Sequence, residues 1–335
     1  MARSFAEPAL ISVVVVNFNG ERFIKNCLDS LLKTDYPNFE IIVVDNNSVD
    51  KSVEILDGFR DNPEIKIVLL DYNLHFAGGN NVGATVSKGK YVVFLNNDTE
   101  VDQNWLSELA KVFQVDENVS AVQCLLLGFD RKSINNIGGT VDYCAKLVPA
   151  TYLWAMNKDA ANELRLFFGC GAALGVRRSL LEKIGFFDTD LPTDEVDLCW
   201  RINLSGGHIV LAPKAIVYHF CGGAFGQALS KQRIFFAETA ACYGILKNYE
   251  FHNVLFVLPY YVFFFIAAVG VDVLVRHRLD LTLFRLKAYV HVMRNLRVIF
   301  QKRAQVQTCI RQVSDAELRK LMVRPNFRYF SLKPR

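Results

Sequence analysis

The sequence has no closely spaced cysteine pairs and few charges for its size. Its eight cysteines are scattered and form no C-x-x-C pair, so neither a zinc knuckle nor a disulfide framework is indicated. A reducing, cytosolic setting fits this pattern best. Charged residues make up 21% of the chain and the formal net charge is +4, which is too small to indicate a nucleic-acid-binding protein. No signal peptide is expected, because the first apolar run, Leu10–Val16, is short and is followed by polar residues.

Two common nucleotide-binding motifs are also absent. The glycine-rich segment HFAGGNNVG (75–83) matches neither G-x-G-x-x-G nor the Walker A pattern, which disfavours a dinucleotide dehydrogenase and a P-loop enzyme. The segment follows a predicted strand and opens a predicted helix, Gly79–Lys88. Backbone N–H groups around Gly79 and Asn80 are therefore candidates for approaching a phosphate. The alternative interpretation of the glycine pair is a tight packing turn.

The first hundred residues alternate between short Val/Ile-rich runs and helical patterns. Near-continuous apolar strands separated by helices predict an α/β fold with a mostly parallel sheet covered on both faces. The predicted strands are Leu10–Val16, Glu40–Asp45, Ile65–Leu70 and Tyr91–Leu95, and the other predicted helices are Glu21–Lys33 and Val49–Phe59. No internal repeat and no low-complexity segment is found.

Polar residues follow three of these predicted strands. Asn17, Asp45 and the group Asn96-Asn97-Asp98 each come where an apolar run ends. Ligands bind outside the carboxyl ends of strands in such sheets, so the three groups predict a binding edge. A carboxylate such as Asp98 can hold Mg²⁺ or Mn²⁺, but Asn and Asp are also good turn residues. Asp45 is a candidate acceptor for a base or ribose, or a cap of the next helix.

Two further groups of chemistry-bearing residues lie beyond residue 103. The segment TDEVDLCWR (193–201) places Asp194, Glu195 and Asp197 at a predicted helix start. Crowded carboxylates raise one another's pKa and can serve as a general base, whereas acids at a helix start also suit the helix dipole. His219 ends a predicted strand, Ala215–His219, and is either structural or a metal ligand.

The carboxyl-terminal part of the chain has a membrane-like character. Residues 251–271 carry no formal charge over 21 positions, which is long enough to span a bilayer. Residues 276–311 then contain nine basic residues against one acid, and Leu281–Phe300 is predicted to be a basic amphipathic helix. The alternative for 251–271 is a buried core helix or a dimer helix.

Seven of these segments, in this order, resemble the inverting nucleotide-sugar glycosyltransferases of family 2, and the rhamnosyltransferase-like branch is most similar. The segments lie within about residues 10–225, and the tail resembles that branch as well. They are VVVVNFNGERFIKNCLDSLL, IIVVDNNSVDKS, NLHFAGGNNVG, YVVFLNNDTEVDQNWL, GCGAALGVRRSLLEKIGFFD, DEVDLCWRI and APKAIVYHFCGG.

The resemblance implies a GT-A fold, the nucleotide-diphospho-sugar transferase fold. Residues 1–102 would form its nucleotide-sugar-binding half, residues 103–230 its acceptor-binding and catalytic half, and residues 231–335 a membrane-associated helical region.

The resemblance also implies roles for individual residues. Asp98 would bind the divalent metal that bridges the donor diphosphate, and His219 could complete the metal shell. Asn96 would face the ribose and Asp45 the base, while Asn17 and Asn73 would line the nucleotide site.

One departure from the family pattern concerns the catalytic base. The family reads Glu-Asp where this chain reads Asp194-Glu195. The matching residue, Glu195, is one methylene longer, and a misplacement of about 1 Å can cost roughly 100-fold in rate. Glu195 is the expected base and Asp194 the alternative.

The expected function is therefore inverting, metal-dependent transfer of a sugar from a nucleotide-diphosphate donor to a lipid-linked glycan, in polysaccharide or glycan assembly. Two alternatives remain open: a non-catalytic membrane-bound nucleotide-sugar-binding scaffold and a nucleotidyltransferase. A single span at 251–271 would place the basic residues outside the cell, against the positive-inside tendency. A monotopic or re-entrant attachment through 251–300 at the cytoplasmic face, with the basic helix on anionic head groups, avoids that conflict.

Overall fold

The structure is a computed structural model that describes residues 7–150, 164–190, 194–220 and 231–325. Its strands are β1 (Ile11–Asn17), β2 (Phe39–Asp45), β3 (Ile65–Leu69), β4 (Tyr91–Asn96), β5 (Thr99–Val101), β6 (Val119–Leu127), β7 (Ile134–Asn136), β8 (Gly139–Val141), β9 (Leu147–Pro149), β10 (Arg165–Leu166), β11 (Ala173–Arg177) and β12 (His208–His219). Its helices are α1 (Ile24–Leu31), α2 (Ser52–Asp57), α3 (His75–Val86), α4 (Trp105–Val115), α5 (Arg178–Ile184), α6 (Asp194–Leu204), α7 (Lys231–Asn248), α8 (Phe251–Gly270), α9 (Leu279–Arg294), α10 (Leu296–Gln305) and α11 (Asp315–Leu318).

One mixed sheet forms the centre of the molecule. Its strands lie in the order β10-β12-β6-β11-β4-β1-β2-β3, with β5 paired to β12 and β7 paired to β6. Strands β3, β2, β1 and β4 run parallel, and β11 is antiparallel to both β4 and β6. Strands from before and after residue 102 lie side by side in this sheet, so the two predicted halves are parts of one sheet.

Helices cover both faces of this sheet, as the near-continuous apolar strands predict. One core packs α1 and α4 against the sheet, with Leu28 and Trp105 fully buried. The other packs α3, α5 and α6 on the opposite face, with Leu181 and Trp200 buried. Strands β1, β2 and β4 lie between the two cores, which is why they carry Val and Ile on both sides.

The sequence placed two boundaries wrongly. The helix predicted to start at Gly79 begins at His75, so Gly79 lies a full turn inside α3. Its backbone N–H is therefore not among those that a helix start leaves open. The strand predicted at Ala215–His219 is the second part of a longer strand, β12, which begins at His208; a register irregularity between Ala212 and Ile216 accommodates Pro213.

Helices α8 and α9 are joined by a short turn and together make the α8–α9 hairpin, in which α9 packs mainly against α7. A π-helical turn, Val271–Val275, follows α8, and the chain then reverses. The rings of Phe265 and Tyr289 pack with centroids 4.4 Å apart, and Arg285 Nε donates to Asp272 Oδ2 at 2.8 Å. The chain then returns to the sheet domain, where Val323 N donates to Val141 O at 3.1 Å.

The hairpin exposes an extended apolar surface. The segment Phe251–Val275 is long and apolar enough to cross a membrane. An 18-residue window within it has a mean hydropathy of 2.4, and only 28% of that window is buried. This exposure argues against the core-helix alternative for this segment. On α9 the exposed apolar residues recur every three or four positions: Leu279, Leu283, Leu286, Val290 and Met293. This recurrence forms a stripe along one face of the helix.

Candidate functional site

The carboxyl ends of β4, β1 and β2 bring the three predicted polar groups together. Asn17 pairs in register with Asp45, and Val16 pairs with Asn96. Asn17 Nδ2 donates to Asp45 Oδ1 at 2.9 Å, and Asn17 Oδ1 accepts from Asn97 Nδ2 at 2.7 Å. A hydrogen-bonded row therefore runs across three strands, with buried Asn17 at its centre.

Asp45 organises a turn rather than a helix. Its Oδ1 accepts from Ser48 Oγ at 2.7 Å, and its Oδ2 accepts from Ser48 N at 2.9 Å. Helix α2 begins only at Ser52, whose N–H donates to Asp50 Oδ1 at 3.0 Å. The alternative that Asp45 caps that helix is therefore wrong. Together with the hydrogen bond from Asn17, buried Asp45 accepts three hydrogen bonds, which leaves one lone-pair position on Oδ2 unused by these contacts.

Gly20 is required by this row of hydrogen bonds. A Cβ at this position would lie 2.1 Å from Asn17 Oδ1 and 2.2 Å from Asn97 Nδ2. Only glycine leaves room for the Asn17–Asn97 hydrogen bond to pass. Sequence reasoning missed Asn97 as a partner of Asn17, because their contact depends on the adjacency of β4 and β1.

The loop before α3 closes one side of the edge. Asn73 Oδ1 accepts from His75 N at 2.7 Å, and Asn46 Nδ2 donates to His75 O at 2.9 Å. A Cβ at Gly79 would lie 2.8 Å from Val16 Cγ1, so this glycine lets α3 pack closely on β1. Buried Asn80 donates from Nδ2 to Phe76 O at 2.9 Å. Contacts of Asn73, Gly79 and Asn80 with a donor stay predictions.

Asp98 and His219 form a close pair at the same edge. Strand β5 follows Asp98 and pairs with the end of β12, which places His219 opposite Thr99. His219 Nε2 lies 3.3 Å from Asp98 Oδ1, and both side chains are largely buried. The structure thus joins two predicted metal ligands that are far apart in sequence.

Asn135 orients the imidazole of this pair. His219 Nδ1 lies 3.2 Å from Asn135 Oδ1. In the tautomer with its proton on Nδ1, the ring donates to Asn135 and turns the Nε2 lone pair toward Asp98. Metal-bound histidines are held in this way by a partner of their other nitrogen. Sequence reasoning missed Asn135, which lies in β7, far from both ligands along the chain.

This donor set fits a divalent cation. In that tautomer two lone-pair donors face each other, and a cation between them would relieve their repulsion. Among the described residues no group of three or more His, Cys, Asp or Glu side chains suits a metal. The remaining ligands would therefore have to come from a bound anion and water, as is usual for Mg²⁺ sites that bind phosphates.

Glu195 lies beside Gly171, just before β11, the strand that neighbours β4. It lies in the first turn of α6, and its Oε2 would be 3.4 Å from a Cβ at Gly171. Gly171 precedes Ala172, whose carbonyl accepts from Asn96 N at 3.1 Å. A carboxylate and the Asp98–His219 pair thus belong to one edge. The side chain of Asp194 and residues 191–193 lie outside the described part, so the alternative base is not placed.

An aromatic cluster with one guanidinium stands beside His219. Phe220 packs against Phe23 with centroids 4.9 Å apart, and the Arg22 guanidinium lies 4.8 Å from the Phe220 ring centroid. Arg22 follows the polar end of β1, so it brings positive charge to the edge. No motif in the sequence pointed to this residue.

Two buried cysteines near the site, Cys27 and Cys199, are not nucleophiles. Burial raises the pKa of the Cys27 thiol to about 12, and burial likewise raises the pKa of Cys199, one turn after Glu195, to about 12. Both side chains therefore remain thiols at neutral pH, and the thiol is a poor nucleophile.

Comparisons with known proteins agree with this architecture. The sequence model of Glycosyl transferase family 2 matches residues 12–185. A poly-beta-1,6-N-acetyl-D-glucosamine synthase of Staphylococcus epidermidis is 26% identical over 228 residues, which cover 68% of this chain and 54% of that protein. A synthase of the same name from Staphylococcus aureus is 25% identical over the same shares. The chain thus spans about half the length of these curated relatives.

Solved structures show the same fold. S. aureus TarS 1–349 in complex with UDP-GlcNAc superimposes with a TM-score of 0.56 at 20% identity, covering 83% of this chain and 79% of that one. Mannosyltransferase PcManGT from Pyrobaculum calidifontis, in complex with GDP-Man and Mn²⁺, also gives a TM-score of 0.56, at 17% identity, covering 93% and 86%. The predicted GT-A fold is confirmed.

Proposed function

This chain belongs to glycosyl transferase family 2, and from that premise we propose that it transfers a sugar, with inversion, from a nucleotide-diphosphate donor to a hydroxyl of a lipid-linked glycan. The observation that carries the proposal is the common edge that holds Glu195, the Asp98–His219 pair and the Asn17–Asp45 row. A base, a metal site and a nucleotide platform are what this transfer needs.

The nucleotide would lie over the ends of β1 and β2. Asp45 offers its remaining Oδ2 lone pair to the base, and it holds Asn17 and Ser48 in place. Asn96, half-buried at the end of β4, would face the ribose. Arg22 stands near His219 and could pair with the negative charge of the donor.

Asp98 and His219 would hold a divalent cation, Mg²⁺ or Mn²⁺, together with the donor diphosphate. When bound, the cation supplies charge neutralisation for the departing diphosphate. The histidine contributes through Nε2 only while Asn135 accepts the proton of Nδ1. Asn135 would therefore hold the His219 ring in the orientation that the metal site needs.

Glu195 would accept the proton of the acceptor hydroxyl. The acceptor oxygen then forms a bond to the anomeric carbon from the face opposite the diphosphate, and the bond from that carbon to the diphosphate oxygen breaks. The sugar configuration inverts in this single displacement, and no covalent enzyme intermediate is needed. The absence of a low-pKa thiol at Cys27 and Cys199 is consistent with this route.

The donor sugar to test first follows from the similar proteins. Relatives named for poly-N-acetylglucosamine synthesis and a TarS structure with UDP-GlcNAc favour UDP-GlcNAc as the first donor to test. The resemblance to the rhamnosyltransferase-like branch makes a deoxythymidine-diphosphate deoxyhexose the second donor to test. The comparisons do not support the rhamnosyl type.

A groove beside α8 supports a lipid-linked acceptor. It encloses about 960 Å³ and its lining includes Phe256, Tyr260 and Phe263, which belong to the exposed face of α8. Arg319 and Arg324 also line it, and neither is ion-paired within the described part of the chain. Arg319 also donates from Nη2 to Asn253 Oδ1. An apolar wall with two guanidinium groups suits a long apolar chain with a phosphate head group.

The hairpin α8–α9 would attach the protein to the cytoplasmic face of a membrane. The exposed apolar stripe on α9 is flanked by Lys287 and Arg294, which can bind anionic head groups. The return of the chain to the sheet domain keeps residues 302–325 on the same side as the site. A monotopic attachment places the apolar stripe in the membrane and leaves both the site and residues 302–325 on one side of it.

The decisive experiment measures nucleoside diphosphate release by purified protein. The protein is incubated with Mn²⁺ or Mg²⁺ and single nucleotide sugars, with and without membrane lipid extract. Release that requires both lipid and metal supports the proposal and identifies the donor. Asp98→Asn and Glu195→Gln should each abolish lipid-dependent release, and Lys320→Met, a surface change, should not. Donor binding without release from any donor would favour a non-catalytic scaffold.

A further inference from the structure

A cluster of buried charges surrounds the first turn of α6, the turn that carries Glu195. Asp197 Oδ1 lies 2.8 Å from Lys247 Nζ, and Asp197 Oδ2 lies 2.9 Å from Arg201 Nε. Lys247 Nζ also lies 2.9 Å from Asp188 Oδ2. These side chains are almost completely removed from water, so the charges compensate one another rather than being solvated.

Lys302 of α10 extends this cluster to the surface. Its Nζ forms an ion pair with Asp188 Oδ1 and lies 2.6 Å from Asp190 Oδ2. Asp188 and Asp190 precede Glu195 in the sequence, and Asp197 follows it. Lysines from two carboxyl-terminal helices, α7 and α10, therefore hold acids on both sides of Glu195.

The carboxylates in the cluster remain ionised. Burial alone would raise the pKa of Asp197, but Lys247 and Arg201 outweigh it and hold that pKa well below its ordinary value. Burial also opposes ionisation of Asp188, yet Lys247 and Lys302 lower its pKa. The tethers are thus ion pairs at neutral pH, in a water-poor region where they are directional.

We propose that Lys302 is a positioning residue. It pairs with Asp188 and Asp190, and Asp188 shares Lys247 with Asp197, so Lys302 helps to fix the first turn of α6 and with it the carboxylate of Glu195. The inference rests on the proposed role of Glu195 as the base. It makes α10, which continues from the membrane-facing hairpin, part of the catalytic unit. Lys247 lies deeper and carries the stability of the fold, whereas Lys302 is partly exposed and can be replaced without stranding a fully buried charge.

The first test compares Lys302→Met and Lys302→Arg by steady-state kinetics. We expect Lys302→Met to lower kcat by about 10- to 100-fold, the range expected for a catalytic group displaced by up to about 1 Å. The donor KM should stay within about twofold, because the proposed donor contacts lie on β1, β2 and β4. Lys302→Arg should restore most of kcat. Lys320→Met is the matched control, since it removes an exposed Lys–Glu pair from the same region.

The second test asks whether Lys302 acts through Asp190. Asp190 is exposed, so Asp190→Asn should fold. We expect the double variant Lys302→Met/Asp190→Asn to be no slower than Lys302→Met alone, which is the signature of residues that share one interaction. Multiplicative losses, or a Lys302→Met enzyme with wild-type kcat per folded molecule, would overturn the inference.

Hydrogen exchange separates this inference from the proposed function. Peptides that cover the first turn of α6 should exchange faster in Lys302→Met than in Lys320→Met, whether or not a donor substrate is known. If wild-type protein transfers no sugar while this exchange difference appears, the proposed function fails and the tether stands. Equal exchange in the two variants refutes the tether.

Discussion

Replacing Lys247 by Met should destabilise the protein strongly. The ammonium group lies 2.9 Å from Asp188 and 2.8 Å from Asp197, and all three side chains are at most 5% exposed. Met keeps most of the volume of the lysine stem and removes only the charge. Two buried carboxylates then lose a shared partner, and breaking a buried pair in this way costs about 3–5 kcal/mol.

The change in melting temperature follows from the size of the chain. An unfolding entropy of about 2.1 cal/mol/K per residue gives roughly 0.7 kcal/mol per degree for 335 residues. The loss should therefore lower Tm by about 4–7 °C at pH 7. Thermal unfolding in the same detergent or lipid, at one scan rate, measures it, with Lys320→Met as the control.

The pH dependence gives an internal check. Asp188 and Asp197 have pKa values below their ordinary values in the folded wild type, so they contribute stability above the unfolded pKa that is lost as the pH falls through the folded values. Removing Lys247 removes that contribution. The Tm difference should be largest near neutral pH and shrink below about pH 4. A Tm loss under about 1 °C at pH 7, or one that grows toward acid pH, would refute the reasoning.

Three further predictions address other parts of the molecule. Gly20→Ala should raise the donor KM by about tenfold, because its Cβ would break the Asn17–Asn97 hydrogen bond, which is worth about 1 kcal/mol or more. Gly270→Ala is the control: a Cβ there meets no atom within 4 Å, so the donor KM should not change. Asp142→Asn should raise Tm at pH 7.5 but not below pH 4. Burial raises the pKa of Asp142 to about 6, so ionisation of this carboxyl destabilises the fold increasingly as the pH rises from about 4 to 6. A variant with the same Tm as the wild type at every pH would contradict this. The double variant Leu283→Glu/Leu286→Glu should bind anionic vesicles at least about tenfold more weakly in a flotation assay, since each half-exposed leucine would contribute about 1 kcal/mol on burial in the membrane. The control variant Gln301→Glu should bind nearly as well as the wild type.

The nucleotide edge could be predicted because its residues obey a local rule. Asn17, Asp45 and Asn96 each end an apolar run, and parallel strands bring their carboxyl ends together. The order of the strands did not follow from the sequence. Strand β11 enters the sheet antiparallel between β4 and β6, and this insertion carries Gly171 toward Glu195.

Contacts between distant segments were beyond sequence reasoning. Asn135 meets His219 across 84 positions, and Lys302 meets Asp188 across 114. Neither residue stands out in the local sequence: Lys302 is one of nine basic residues in 276–311, and Asn135 belongs to none of the predicted motifs. Only the tertiary structure shows that both side chains support candidate site residues.

The return of the chain to the sheet domain has a consequence for biosynthesis. Val323 bridges to Asp142, Met322 is buried against Tyr249, and Gln312 N donates to Leu204 O at 2.7 Å. The apolar hairpin is therefore synthesised before the last pieces of the sheet domain. The nascent chain must carry an incomplete sheet domain while its hairpin is already available to a membrane. Truncating the chain after residue 250 to obtain a soluble enzyme should accordingly yield a protein that lacks part of its own core.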